Sequence, residues 1–168
     1  MDIHLLYTFL LSIIPVGELR VSIPYGIAHQ LNPALVFTLS VLGNMIPVFF
    51  LVWLLPWFER IVSHSQMLDQ KSSNFKDRIV VKKFISSYLF FKNRAQKKHT
   101  KQFNRFGAFA LVFFVGLPLP LTGAWTGALA AYLFGISKKY TIALIFIGVL
   151  AAGFIVLGAS MGFKAYFL

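Results

Sequence analysis

Four long apolar blocks, separated by polar stretches, dominate the pattern along this chain. They cover residues 3–28, 34–58, 106–134 and 140–163. A helix needs about 20 apolar residues to cross the hydrocarbon of a bilayer. The second and fourth blocks reach that length, so they predict two transmembrane helices.

The first and third blocks are interrupted near the middle by residues that end helices. The interruptions are Pro15, Gly17 and Pro24 in the first block and the run GLPLPLTG over residues 116–123 in the third. Non-helical backbone at membrane depth persists only where protein or a water-filled cavity satisfies its polar groups. We therefore expect both blocks to form re-entrant helical hairpins, which enter and leave the bilayer on the same face.

Both halves of the chain follow one plan: an apolar run, a break, a short helix of small residues, a turn and a long helix. Since each unit would hold one hairpin and one full span, the second unit must enter from the opposite face. Such an inverted repeat is the plan of many secondary transporters. The predicted fold is an all-α integral membrane protein with two inverted repeats. Its parts are a first repeat at 1–58 (hairpin about 3–30, transmembrane helix about 34–58), a basic amphipathic segment at 59–105, and a second repeat at 106–168 (hairpin about 106–134, transmembrane helix about 140–163).

Composition supports the membrane class and limits the chemistry. Hydrophobic residues make up 58% of the chain and charged residues 12%, against about 25% charged in ordinary soluble domains. The sequence contains no Cys, which excludes a disulfide framework and a thiolate metal site. No cofactor and no metal are predicted.

The net charge of +11 is concentrated in the basic segment, residues 59–105, between the apolar blocks. By the positive-inside rule this segment marks the cytoplasmic side, a reading that we prefer to a nucleic-acid partner. If the two hairpins are re-entrant, Lys138 is also cytoplasmic and Lys164 lies outside. Residues 80–91 alternate apolar and basic side chains at helical spacing, which predicts an amphipathic helix on an anionic leaflet.

Glu18 and Arg20 are the charged residues that the sequence places inside an apolar block. An ionisable group at membrane depth is costly, so it usually faces a cavity or a partner and marks a substrate or proton path. One interpretation is a mutual ion pair that holds the hairpin tip, although residues two apart do not face each other on a regular helix. The other uses them separately: a partly desolvated carboxylate exchanges a proton, and a guanidinium grips phosphate in a forked geometry.

The second hairpin offers an uncharged half-site. Thr122 precedes a helix of small residues and could cap it, which would point free N–H groups at an anion. Ser22 before Pro24 offers the same arrangement in the first hairpin, so two helix N-termini would form a shared anion cradle. Simple backbone capping is the alternative for Thr122 and Thr126. In the second block, we expect Asn44 and Pro47 to mark a kink opposite the hairpin.

The candidate substrate and proton site draws on both hairpins and contains no catalytic residue. An intramembrane enzyme needs a nucleophile or metal with a base nearby, and His4 and His29 each lack an evident partner in the sequence. Trp125 could instead line a lipid path. The site residues are Glu18, Arg20, Ser22, Pro24, Pro118, Pro120, Thr122, Gly123, Trp125 and Thr126.

Two motifs carry a family resemblance. The ELR followed by SIP over residues 18–24, and PLPLTGAWTGALAA over residues 118–131, resemble the small multi-drug export protein family, compact membrane proteins of bacteria and archaea related to the DedA superfamily. The resemblance implies two opposed re-entrant hairpins in a prokaryotic cell membrane. It also implies movement of phospholipids or undecaprenyl phosphate between leaflets, linked to the proton motive force. In that superfamily the functional groups are acidic residues of the first hairpin and arginines of the second. Glu18 matches the acidic residues. Residues 106–134 contain no arginine, so Arg20 would have to substitute for the arginines of the second hairpin.

The leading hypothesis is a transporter or scramblase that moves an anionic lipid or lipid phosphate between leaflets, coupled to protons. One alternative is proton-coupled export of small cationic drugs, and another is a membrane assembly factor without transport. The expected partners are membrane lipids, an anionic head group or small-molecule substrate, protons and a second copy of the chain.

Overall fold

A computed structural model describes residues 3–68, 101–119 and 122–167, and every regular element in these ranges is a helix. This confirms the all-α class. Two segments, Pro33–Trp57 and Lys138–Tyr166, are long and apolar enough to cross a membrane. The helices are α1 (Ile3–Ile13), α2 (Glu18–Ala28), α3 (Pro33–Leu68), α4 (Lys101–Gly116), α5 (Ala124–Leu133) and α6 (Lys138–Phe167).

The two predicted helix breaks are present, at residues 14–17 and, among the described residues of the second break, at 117–119 and 122–123. The predicted break at Pro24 is wrong, because Pro24 lies inside α2. Proline has no N–H, so the carbonyl of Arg20 loses its partner one turn later, yet the helix continues. Ile23 and Ile27, which flank Pro24, are almost fully buried, and this packing holds α2 together.

Each half of the molecule has two short helices followed by one long helix. In the first half, His4 near the start of α1 bonds to Tyr25 near the end of α2, so these helices form an antiparallel hairpin. The long helices are also antiparallel. Lys138, which begins α6, lies over the ring of Trp53 in the second half of the apolar part of α3, whereas Lys164 near the end of α6 lines a crevice with Pro33.

The short helices α2 and α5 each pack against both long helices, while α1 packs on α3 and α4 packs on α6. Small and β-branched side chains allow this close approach. A methyl group at Gly26 of α2 would lie 2.6 Å from Cγ2 of Val36 on α3, so the Val36 side chain packs directly against the α2 backbone there. Large aromatic side chains such as Phe50 remain on the outside of the molecule.

Several predictions fall outside the described residues. They are the amphipathic helix at 80–91, most of the basic segment that contains it, and Pro120. The division into repeats, their re-entrant insertion and their inversion across a membrane stay predictions.

Candidate functional site

The tips of the two hairpins meet at Glu18. This residue begins α2, and only 7% of its surface is exposed. Its φ is +46°, in the left-handed region that few residues other than glycine adopt. Such a conformation costs roughly 1–3 kcal/mol and persists where surrounding contacts determine it.

The Glu18 carboxylate lies at the N-terminus of α5, in the second hairpin. Its Oε1 accepts a hydrogen bond from the backbone N–H of Trp125 at 3.4 Å, and the amide of Ala124 also interacts with the carboxylate. The first N–H groups of a helix have no partner within the helix and carry the positive end of its dipole, so an anion is stabilised there. Glu18 therefore occupies the anion position that the sequence had suggested for a substrate.

Gly123 provides the space for this contact. Its φ of 156° and ψ of −167° define a conformation that is essentially restricted to glycine. A Cβ atom at this position would overlap the Glu18 carboxylate. Both the backbone and the contact therefore require glycine at position 123.

Arg20 also contacts the second hairpin. Its Nη2 donates to Oγ1 of Thr122 at 3.3 Å. Within the described part of the chain, Glu18 and Arg20 do not form an ion pair with each other, because each side chain is directed at a different group of the second hairpin. The predicted mutual pair at the hairpin tip is therefore not formed.

Thr122 stabilises its own loop. Its Oγ1 lies 2.7 Å from the carbonyl oxygen of Leu117 and accepts from the backbone N–H of Leu119 at 3.2 Å. The first residue of α5 receives no side-chain cap from its neighbours, so the predicted capping by Thr122 is wrong. The Thr126 hydroxyl contacts the carbonyl of Gly123 at 3.4 Å, which is local backbone bonding.

Ser22 lies inside α2 and does not begin a helix, so its predicted part in an anion cradle is wrong. It is fully buried, and its Oγ donates to Oγ of Ser40 on α3 at 2.9 Å. Pro24, one turn from Arg20, is exposed. Pro118 lines a small cavity beside Glu18.

Trp125 joins the two hairpins through two N–H groups. Its indole Nε1 donates to the carbonyl of Ile13 at 3.1 Å, at the end of α1, and its backbone N–H is the donor to Glu18. The last carbonyls of a helix lack partners within it, so the indole satisfies one that α1 leaves free. Trp125 is thus a structural link between the hairpins; its predicted place on a lipid path stays untested.

Asn44 on α3 is the residue that sequence reasoning failed to place at the site. It is 1% exposed and lines the same cavity as Glu18, Arg20 and Pro118. The cavity measures about 10 Å³, room for about one water molecule. The available signal was an amide within an apolar span, which was interpreted only as the mark of a kink.

The two histidines of the first hairpin contact each other, contrary to expectation. The rings of His4 and His29 stack at 4.2 Å, and Nδ1 of His4 bonds to the Tyr25 hydroxyl at 3.0 Å. They lie at the base of the hairpin, away from the tip that holds Glu18. In the described ranges no group of three His, Cys, Asp or Glu residues is arranged to hold a metal ion.

Comparison with known proteins gives one informative result. A family model described as "Putative small multi-drug export protein" matches residues 18–155, most of the chain. The match begins at Glu18 and includes the tips of both hairpins. No curated protein and no solved structure matches the chain. The relation to the DedA superfamily therefore stays a prediction.

Proposed function

Because the chain belongs to the small multi-drug export protein family, and is thus a membrane protein, we propose that it exports small organic cations in exchange for protons. Glu18 binds the proton and the cation in turn. The observation that carries this proposal is the buried Glu18 carboxylate at the contact between the two hairpins.

The Glu18 carboxylate occupies the N-terminus of α5, and this favours a cation over an anion as the substrate. That helix end is the natural anion site of the second hairpin, and Glu18 already fills it. Glu18 is also the only acidic residue in the four apolar blocks of the sequence. A cationic compound that enters between the hairpins would therefore meet one carboxylate. Arg20, whose charge also acts on that carboxylate, bonds to Thr122 and does not form an ion pair with Glu18.

Protonation of Glu18 switches the hairpin tips from a joined to a separated state. The charged carboxylate holds the two hairpins together through the amides of α5, and hydrogen bonds to an ionised group are about twice as strong as neutral ones. When Glu18 takes up a proton this attraction weakens, and the hairpin tips can separate. In transporters with repeated halves, movement of one half against the other opens the site to alternate faces.

The proposed arrangement in the membrane is an inverted repeat with two re-entrant hairpins. The antiparallel course of α3 and α6, the corresponding long helices of the two halves, supports it. The positive-inside rule places the basic segment, 59–105, on the cytoplasmic side of a prokaryotic cell membrane. A homodimer is part of the proposal, because Gly158 and Gly162 face open space on α6 and would allow close helix packing.

Dye transport in proteoliposomes tests the function. The wild type, Glu18→Gln and Glu59→Gln are reconstituted, and movement of a fluorescent organic cation is followed with and without a pH gradient. We expect gradient-driven transport by the wild type and by Glu59→Gln, which makes the same change outside the apolar blocks. Glu18→Gln should transport no more than empty liposomes. Gradient-driven transport by Glu18→Gln at the wild-type rate would rule out the proposed role.

Lipid movement is a second candidate because of Arg20. Its guanidinium is half-buried, and after bonding Thr122 it retains N–H donors that suit a phosphate. The same liposomes, loaded with labelled undecaprenyl phosphate or an ordinary anionic phospholipid, measure leaflet exchange. Exchange that depends on Arg20, without dye transport, would replace cation export by lipid transport. If neither dye transport nor leaflet exchange is observed, the result would favour the assembly factor.

A further inference from the structure

A buried amide oxygen without a partner belongs to a side chain that lines the Glu18 cavity. Oδ1 of Asn44 has no hydrogen bond among the described residues, and the side chain is 1% exposed. Asn44, Glu18 and Arg20 line the same cavity. Buried polar atoms are nearly always paired, and an unpaired one costs free energy in the state that leaves it so.

The protonation states of Glu18 need different partners. A carboxylate only accepts hydrogen bonds, and the N–H groups at the start of α5 provide them. A protonated carboxyl group carries an O–H donor and needs an acceptor. The N–H groups of α5 and the guanidinium of Arg20 cannot accept.

Among the described residues that line the cavity, Asn44 is the one side chain besides Glu18 that offers an acceptor. Arg20 is the only other charged or titratable group in that described lining; α3 contributes Asn44, and the other lining residues are apolar or glycine. These are Leu19 of α2, Val115 of α4, Pro118 and Gly123 of the second tip, Ala124 of α5, and Val149 and Ala152 of α6.

We propose that Asn44 Oδ1 accepts the hydrogen bond of protonated Glu18, directly or through one water molecule in the cavity. This inference rests on the proposed proton coupling and deepens it. Glu18 then has two docking positions: the α5 amides when charged and Asn44 of α3 when protonated. Proton uptake thus moves a side chain of the first hairpin from the second hairpin to a long helix, and Asn44 is a positioning residue for that state.

Infrared spectroscopy of the purified protein observes this step without any transport assay. The carbonyl band of a protonated carboxyl group grows as the pH falls, and Glu18→Gln identifies the part that belongs to Glu18. Asn44→Leu keeps the number and branching of the side-chain heavy atoms and offers no acceptor. We expect it to lower the pH at which the Glu18 band is half-developed by about 0.5 to 1 unit, the equivalent of one net hydrogen bond. The band itself should shift to the frequency of a carboxyl group that donates no hydrogen bond.

Asn44→Ser is the matched control, because its hydroxyl retains an acceptor and its smaller volume admits a water molecule. It should restore most of the wild-type midpoint and band position. An Asn44 that only fills space would give the same spectrum in all three proteins, which would overturn the inference.

The two proposals fail in different ways. If dye transport needs Glu18 but the Glu18 band of Asn44→Leu matches that of the wild type, cation export stands and the role of Asn44 is rejected. If Asn44→Leu shifts the band while no protein transports the dye, Asn44 is the partner of protonated Glu18 and cation export is rejected. If Asn44→Leu does not fold, Asn44→Ser is compared with a second acceptor-free variant, Asn44→Val, whose side chain still fills the space beside Glu18. Unchanged spectra there again overturn the inference.

Discussion

Gly123 leaves the space into which the Glu18 carboxylate reaches, and its backbone conformation excludes other residues. Gly123→Ala should therefore lower the free energy of unfolding by roughly 1–3 kcal/mol, because both the strain and the displaced carboxylate act in the same direction. Thermal unfolding in detergent measures the effect. Gly107→Ala is the control, since a methyl group there meets nothing within 4 Å and should leave stability nearly unchanged. Equal melting temperatures for the two variants would contradict the geometry.

At this scale the sequence predicted which residues matter better than it predicted their contacts. A charge inside an apolar block is visible without a structure, so Glu18 and Arg20 were found. The partner of Glu18 was not, because no local pattern connects residue 18 with the amide of Trp125. Asn44 was missed as a site residue for the same reason: its significance depends on a cavity formed by several helices.

Between elements, the hydroxyl pair Ser22–Ser40 connects α2 to α3 inside an otherwise apolar contact. Ser22→Ala should lower the free energy of unfolding by about 1–3 kcal/mol, because it leaves the Ser40 hydroxyl buried without its partner. The double variant Ser22→Ala/Ser40→Ala should recover part of that loss, as no polar group then remains unpaired. Chemical or thermal unfolding of the wild type, Ser22→Ala, Ser40→Ala and the double variant gives the coupling free energy between the two hydroxyl groups.

Ser160→Ala serves as a reference in the same experiment. Among the described residues, the Ser160 hydroxyl bonds only to the carbonyl of Val156 in its own helix, so its removal should change stability little. Additive effects of the two substitutions at Ser22 and Ser40 would show that the hydroxyl pair contributes no coupling.

The helix boundaries followed from the sequence where several signals coincide. Residues 116–123 combine glycines and prolines, and α4 ends at the start of that run while α5 begins directly after it. A single proline was a weaker guide. At Pro24 burial of neighbouring side chains outweighs one lost hydrogen bond, so tertiary packing overrides the local signal.

For the whole molecule, the orientation of α6 distinguishes hairpins from full crossings. Re-entrant hairpins place Lys138 on the cytoplasmic face and Lys164 on the opposite face, whereas full crossings of all four blocks reverse both. The chain has no Cys, so single-cysteine variants need no background substitution. We expect Lys164→Cys to react in intact cells with a membrane-impermeant maleimide, and Lys138→Cys to react only after permeabilisation.

Asn32→Cys fixes the reference face in that labelling experiment. Asn32 and Lys164 line one crevice, so the two cysteines should label from the same side. Labelling of Lys138→Cys in intact cells, with Lys164→Cys protected, would exclude the proposed inverted arrangement. The plan of two similar halves was readable from the order of blocks, but the meeting of their tips depends on contacts over a hundred residues apart in the chain.

The bonds of Trp125 give the molecule an intrinsic optical signal. Its indole donates to Ile13 while its own amide holds Glu18, so the ring is fixed directly beside the ionisable group. The other two tryptophans, Trp53 and Trp57, lie exposed on the outside of α3. With both replaced by Phe, the emission of Trp125 would report whether the hairpin tips are joined or apart, so that the proposed proton uptake could be timed without a label.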